Sequence, residues 1–284
     1  MFESVSRGWK MVSKSFSILR EDKKLLLFPL LSGFFSILLL IGFLAPLFLA
    51  GLLSQSEQAL GQALFYAVLF GYYVCTSFLA IFFNTALVHS LKTKIEGKDE
   101  SLGASIGFAF SRFLVILEWA LVSATIGLIL NAIEGALSKN RGGQLVASII
   151  RAIIGFAWAI LTFFVVPVFV YENLGFIASL KKSAETFRKT WGESFVANFS
   201  TGFIFAILTF LWVVLSIVLV VAVIPLSPVL LIPVAIIAVL GFLLIVLTSA
   251  AITNIYQTLL YLYASEGVVA PGFTEEEMRG LFRK

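Results

Sequence analysis

Six apolar stretches dictate what this chain can fold into. They run at roughly 25–53, 62–91, 113–137, 145–171, 195–223 and 229–263, each bounded by charged or turn residues. About 20 such residues are enough to cross a bilayer. Backbone N–H and C=O groups in lipid must be satisfied within the segment, which excludes open sheet and leaves helices. The expected fold is all-α: six transmembrane helices in three hairpins, forming one polytopic membrane domain over 1–284. Apolar residues make up 60% of the chain and charged ones 13%, where a soluble domain carries about 45–50% and about 25%. A mean hydropathy of +1.03 excludes disorder, a fibrous repeat and an ordinary soluble enzyme. The first stretch follows Arg20-Glu21-Asp22-Lys23-Lys24, is too long for a signal-peptide core and lacks a small-x-small cleavage site. It reads as a retained helix. Several stretches run near 30 residues, an excess that implies tilt or helices projecting past the headgroups into water.

Orientation follows from the cations. Seventeen of the 20 Lys and Arg lie in 1–24, 92–112, 172–194 and the tail 264–284, while Lys139, Arg141 and Arg151 lie on the other side. This positive-inside bias places both termini in the cytoplasm of a cell, in an inner membrane. The outer loops, Ser54–Gly61, Ser138–Gln144 and Pro225–Pro228, are too short to form a domain.

In 1–24, Phe2, Val5, Trp9, Val12, Phe16 and Leu19 recur at steps of three and four, with Arg7, Lys10 and Lys14 on the other side. That is an amphipathic helix lying in the membrane interface. The spacing returns as Ile177, Leu180, Ala184, Phe187 and Trp191, with Lys181, Lys182, Arg188 and Lys189 around them, and more weakly as Leu102, Ile106, Ala109 and Phe113. Each pair of spans is thus introduced by an interfacial helix on the cytoplasmic side. Either these helices cap the bundle at the water line, or they dock lipid or a partner. Their cations suit anionic headgroups rather than nucleic acid. The second span reads Asn84-Thr85 and reaches Glu96-Gly97 twelve residues on; the sixth repeats this step from Asn254-Ile255 to Glu266-Gly267. A hairpin repeat is the expectation, as in many transport folds.

A family likeness rests on the order of several motifs. Phe28-Pro29-Leu30-Leu31-Ser32 opens the first span and Phe83-Asn84-Thr85-Ala86-Leu87-Val88 closes the second. Glu118-Trp119-Ala120-Leu121-Val122 and Ala124-Thr125-Ile126-Gly127 follow in the third. Then come Pro167-Val168-Phe169-Val170-Tyr171-Glu172, Leu180-Lys181-Lys182-Ser183-Ala184-Glu185 and Thr190-Trp191-Gly192-Glu193. With these, the chain resembles an uncharacterised prokaryotic family of six-helix integral membrane proteins, a domain of unknown function, over all six spans. The resemblance implies a polytopic inner-membrane protein and no catalytic residue. Glu118 stands where a small residue is expected ahead of that tryptophan.

The inventory argues against catalysis. His89 is the only imidazole, Cys75 the only thiol, and Asp22 and Asp99 the only aspartates, both in loops. These numbers allow no disulfide, no usual zinc site and no intramembrane aspartyl dyad, and the phosphate-loop and nucleophile-elbow motifs are missing. No cofactor and no metal is expected. His89, beside Ser90 and Lys92, reads as an interfacial, solvated or capping residue.

Polar residues inside the spans carry the remaining signal, since a charge near the bilayer centre costs at least about 2.5–3.5 kcal/mol. Glu118 lies six residues beyond Arg112, about 9 Å deeper at 1.5 Å per residue. The sixth span carries a stripe of Asn254, Gln257 or Thr258, and Tyr261; Asn84, Ser194, Asn198 and Thr201 lie at similar heights. These groups are interhelical hydrogen-bonding glue, or they line a vestibule open to the cytoplasm with Asn84, Glu118, Asn198, Asn254 and Gln257 on its wall. Glu134 and Arg151 form a candidate ion pair, and Gly71, Gly127, Gly155 and Gly202 are candidate points of close helix approach. No span reads as broken mid-membrane, with Pro167 taken as lying near a far end. The first functional reading is a non-catalytic membrane protein that organises lipid or protein partners at the cytoplasmic face. The second is a transporter or pore. A homo-oligomer or a further membrane partner stays open.

Overall fold

The computed structural model describes residues 2–49, 59–137, 141–225, 227–269 and 273–275. Within these, the side chains of 2–8, 10, 11, 47, 49, 59–63, 141, 191–200 and 228 are not described. The described residues are helical with no strand. The α-helices are α1 (Phe2–Glu21), α2 (Leu27–Leu49), α3 (Ala59–Ile95), α4 (Leu102–Ser111) and α5 (Phe113–Leu137), followed by α6 (Arg141–Thr162), α7 (Val165–Tyr171), α8 (Phe176–Lys189), α9 (Trp191–Val223) and α10 (Leu231–Glu266). Short 3-10 turns at Lys23–Leu26 and Pro228–Leu230 lead into α2 and α10. Among the described residues, six segments are long and apolar enough to cross a membrane: α2, α3, α5, α9, α10 and the pair α6–α7.

The helices form two compact units, one of 1–27 with 189–284 and one of 28–188. In the first, α9 and α10 are packed antiparallel neighbours and α1 lies against both. Trp212 Nε1 of α9 donates to the Ala238 carbonyl of α10 at 2.8 Å, and Gly241 makes room for the indole: a Cβ there would meet the ring at 2.0 Å. In the second unit α3 is central and packs against α4, α5 and α7. Aromatic pairs bind α2 to α3 through Phe35–Phe83 and Phe43–Tyr72. Trp119 stacks on Trp158 at 5.0 Å, joining α5 to α6. Of the four glycines expected at close contacts, only Gly71 has a near neighbour, the Phe43 ring, 3.2 Å from a notional Cβ. Gly127, Gly155 and Gly202 face open space.

Burial is concentrated at one end of the long helices. In α10 the run from Ala251 to Leu262 is almost entirely buried, whereas Ile232, Ile236, Ile237, Val239 and Leu240 are exposed. In α3 the buried residues are Phe82, Phe83, Thr85–Val88, Ser90, Leu91 and Thr93, all in its last third. Ala251 lies about 30 Å along the axis from Leu231, and Phe82 about 27 Å from Leu64. Each helix therefore runs one hydrocarbon thickness before its buried segment begins. The two helices end alike. Gly97 and Gly267, at φ +76° and +69°, are the positive-φ glycines of the described chain. At the end of α3, Gly97 N–H bonds Lys94 O at 3.0 Å and Lys98 N–H bonds Thr93 O at 2.9 Å. That is a Schellman cap; the single Gly267 N–H to Tyr263 O bond, 3.1 Å, is its simpler left-handed form.

One expectation needs correction. The fourth span is not continuous: it breaks at Phe163–Phe164 between α6 and α7. Pro167 explains the break, because it has no N–H for the Phe163 carbonyl and its ring crowds that carbonyl. The freed Phe164 N–H donates to Ser183 Oγ of α8 at 3.0 Å, in a buried site. α8 accordingly turns Ser179, Ser183 and Thr186 inward, with Phe187, and leaves Ile177 of the expected apolar stripe exposed. Small hydroxyls let the helix approach a backbone that needs an acceptor, which larger aliphatic groups could not supply. Of the expected outer loops, 54–58, 138–140 and 226 lie outside the described residues, while 59–61 and 141–144 are already helical.

Candidate functional site

The second unit gathers polar and charged side chains at the Lys- and Arg-rich ends of its spans. His89 of α3 stacks face to face on Phe108 of α4, with ring centroids 3.9 Å apart and planes 5° from parallel. Its Nε2 comes within 3.2 Å of Glu100 Oε2, from the turn before α4. The Arg112 guanidinium lies 5.6 Å from the centre of the same Phe108 ring. It also donates through Nη1 to Asn173 Oδ1, tying the α4–α5 junction to the loop after α7. On that loop Glu172 accepts from Lys182 of α8 at 2.9 Å. Lys92 of α3 stands 4.6 Å above the Tyr171 ring. The helices α3, α4, α7 and α8, with the segments that join α3 to α4, α4 to α5 and α7 to α8, thus meet through imidazole, guanidinium, ammonium, carboxylate and amide groups.

Local sequence explains how these groups arrive. Ser101 caps α4 by accepting from Ala104 N–H at 3.2 Å, which starts that helix where Phe108 and Arg112 fall on the face towards α3. Ser105 and Ala109 on α4 are fully buried, so its backbone approaches α3 closely. Beyond the α3 cap, Lys98 Nζ bonds Glu96 Oε2 at 2.9 Å and holds that carboxyl below its usual pKa. Chemically, the cluster offers an imidazole beside the Glu100 carboxylate and three cations, of which Lys182 is paired with Glu172. Among the described residues no group of three His, Cys, Asp or Glu side chains forms a metal site.

The residues singled out in the sequence are distributed as follows. Asn84 is half-buried on α3, and Glu118 is exposed on α5, where its neighbour Trp119 takes the inward position. Both belong to the second unit; Asn198, Asn254 and Gln257 belong to the first. The Asn198 side chain lies outside the described residues. Asn254 is buried, its Nδ2 donating to Ala250 O at 2.9 Å and its carbonyl accepting from Thr258 Oγ1 at 2.7 Å. Gln257 is half-buried. Arg151 Nη1 donates to the Glu134 carboxylate and lies 3.5 Å from Asn131 Oδ1. Of the candidate headgroup contacts, the Arg7 and Lys10 side chains are outside the described residues, and Lys14 Nζ stands 5.0 Å from the Phe273 ring centre. Lys181, Arg188 and Lys189 are exposed, while Lys182 holds Glu172.

Sequence reasoning set His89 and Arg112 aside, because the partners that give them a setting come from four other elements. The one local signal was the paired Glu172-Asn173 immediately after an apolar run. The sequence profile of a family of unknown function, DUF6159, matches residues 63–272. The chain belongs to this family. The DUF6159 match takes in α3 to α10 and leaves α1 and α2 outside, so it covers five of the six spans. No curated protein and no solved structure matches the chain.

Proposed function

We propose that this chain is a non-catalytic, multi-pass membrane protein whose basic end lies against anionic lipid headgroups and organises lipid or protein partners there. The reading has both termini in the cytoplasm, three helical hairpins, and α1 and α8 in the interface. One observation carries it: the two sides of the α1 apolar stripe have different environments. Val12 and Leu19 are buried, on a helix that packs against α9 and α10, yet Trp9 and Phe16 remain 57% and 51% exposed. Large aromatics left open beside a row of cations suit the interfacial belt of a bilayer. The register agrees: Ile204 of α9 lies about 28 Å along the axis from Val223, close to one hydrocarbon thickness. Lys10→Glu with Lys14→Glu is expected to lower the anionic phospholipid that co-purifies with the protein, by roughly 1 kcal/mol of attraction per charge removed. Unchanged lipid content would refute the reading.

A second reading, a transporter or pore, is favoured by the interrupted fourth span. Discontinuous helices in transport folds present freed backbone groups to substrates and ions. Cysteines placed at 84, 118, 198 and 254 in a Cys75→Ala background would test it. Transport with a cytoplasmic vestibule requires membrane-impermeant thiol reagents to reach them from the cytoplasmic side, and complete protection would exclude it.

A further inference from the structure

A crevice of about 360 Å³ opens in the first unit where α1 crosses α9 and α10. Trp9, Ser13 and Phe16 of α1 form one wall, facing Leu208 of α9 and Ile245 and Thr248 of α10. Its size falls within the range of small-molecule pockets, about 300–1,000 Å³. Its position is set by the helices. Thr248 lies about 26 Å along the axis from Leu231, and Leu208 about 22 Å from Val223, so the cavity sits just inside the interface on the α1 side. The lining is apolar apart from two hydroxyl groups, Ser13 and Thr248.

The same face of α1 carries a cation. Trp9, Ser13, Phe16 and Arg20 follow one another at steps of four, three and four, which puts them on one side of the helix. Arg20 is exposed, one turn past Phe16. At 100° per residue, Lys10 and Lys14 flank this face on the side away from Val12 and Leu19. The slot is apolar with two hydroxyls in its lining, on a helix face that carries a cation one turn further on. That arrangement offers the three kinds of group a phospholipid needs: apolar surface for an acyl chain, hydrogen-bonding groups for the ester, and a positive charge for the phosphate. Neutral lipid would leave the cation without a partner, and a partner helix would find a slot walled on three sides.

We propose that this crevice holds one acyl chain of an anionic phospholipid, with Arg20 at its phosphate. The inference rests on the interfacial reading of α1 above and names the ligand for it. The test uses the full-length protein in phosphatidylcholine vesicles carrying a minor fraction of phosphatidylglycerol with a diazirine in its acyl chain. Irradiation is expected to label peptides of α1, α9 and α10 around the crevice, with unlabelled phosphatidylglycerol competing about tenfold better than phosphatidylcholine. Thr248→Trp, which fills the slot, should cut that labelling about tenfold, and Ser13→Trp, at an exposed position, should do the same if the first variant folds poorly. Val221→Trp, on an exposed face of α9, should leave it intact. Arg20→Glu should abolish the preference for phosphatidylglycerol and leave labelling by diazirine phosphatidylcholine in place. Equal competition by the two lipids, labelling indifferent to both filling variants, or cross-linking of α1 to a second chain in place of lipid would each overturn the proposal. If Lys10→Glu with Lys14→Glu lowers bound anionic lipid while the filling variants change nothing, the crevice assignment fails and the interfacial reading stands.

Discussion

Gly241 makes room for the Trp212 indole where α9 meets α10. Small residues let membrane helices come near enough for dispersion contacts and hydrogen bonds that lipid cannot supply. Here the indole occupies the place of a missing side chain, and its N–H reaches a carbonyl one turn before that glycine. Gly241→Ala is expected to cost about 1–3 kcal/mol through overpacking. Thermal unfolding in detergent should report this as a lowered midpoint, and Trp212→Leu in the same chain should remove the clash along with the hydrogen bond. An unchanged midpoint for Gly241→Ala would mean that the indole moves aside without loss. The sequence did not single out this glycine. Gly71, Gly127, Gly155 and Gly202 were equally plausible, because a glycine in an apolar run says that approach is allowed and not which partner makes it. The same holds for Glu118: its depth could be counted, but its outward direction depended on Trp119 taking the inward position.

Spans are the elements most legible in sequence. A run of apolar residues needs only one solvent argument, and all six stretches correspond to helical segments within a few residues. The break in the fourth was written in Pro167, but hydropathy is uniform across Ile160–Val170, so nothing marked the interruption as internal. α8 answers a related need. Its apolar spacing was real, and the backbone donor released at Phe164 is satisfied by the Ser183 hydroxyl, while the Ser179 and Thr186 hydroxyls donate to the Leu174 and Lys182 carbonyls. Ser183→Ala should leave the Phe164 N–H buried without its acceptor, at a cost of about 1–3 kcal/mol. Amide exchange at Phe164 and Val165 should quicken while α6 stays unchanged, and Ser183→Thr should retain most of the protection. Exchange unaltered in the alanine variant would show that another group takes the donor. The His89 cluster was beyond local reading altogether, since its members come from α3, α4, α7, α8 and the segments joining them.

At the scale of the whole chain, two of the shorter helices meet segments that precede them: α4 packs on α3, and α8 meets the α6–α7 junction through Phe163–Phe187 and Ser183. α1 follows the same rule only if the chain is read as a circle, because its partners are α9 and α10. The sequence placed each of these helices ahead of a pair of spans and left its packing partner open, since adjacency in sequence was the only adjacency available. The long helices also divide into a lipid-exposed part and a part protected by protein. Replacing lipid with a short-chain detergent is expected to raise amide exchange several-fold in 231–250 while 251–262 stays slow, as measured by mass spectrometry. A common rise in both segments would contradict that division. The twelve-residue step from Asn to Glu becomes a length: about 18 Å at the protein-buried end of each helix, ending in a left-handed glycine.

The partnership of α1 with α10 also sets a schedule. α1 is made before the other described helices, and Ile252, which lines its crevice, follows Glu21 by more than 230 residues. At about 5–20 residues per second, Val12 and Leu19 spend on the order of 10–50 s without the surfaces they will finally cover. A helix in that position must be kept by something during the delay. Its row of cations and open aromatics allows the membrane surface itself to hold α1 until the last hairpin arrives.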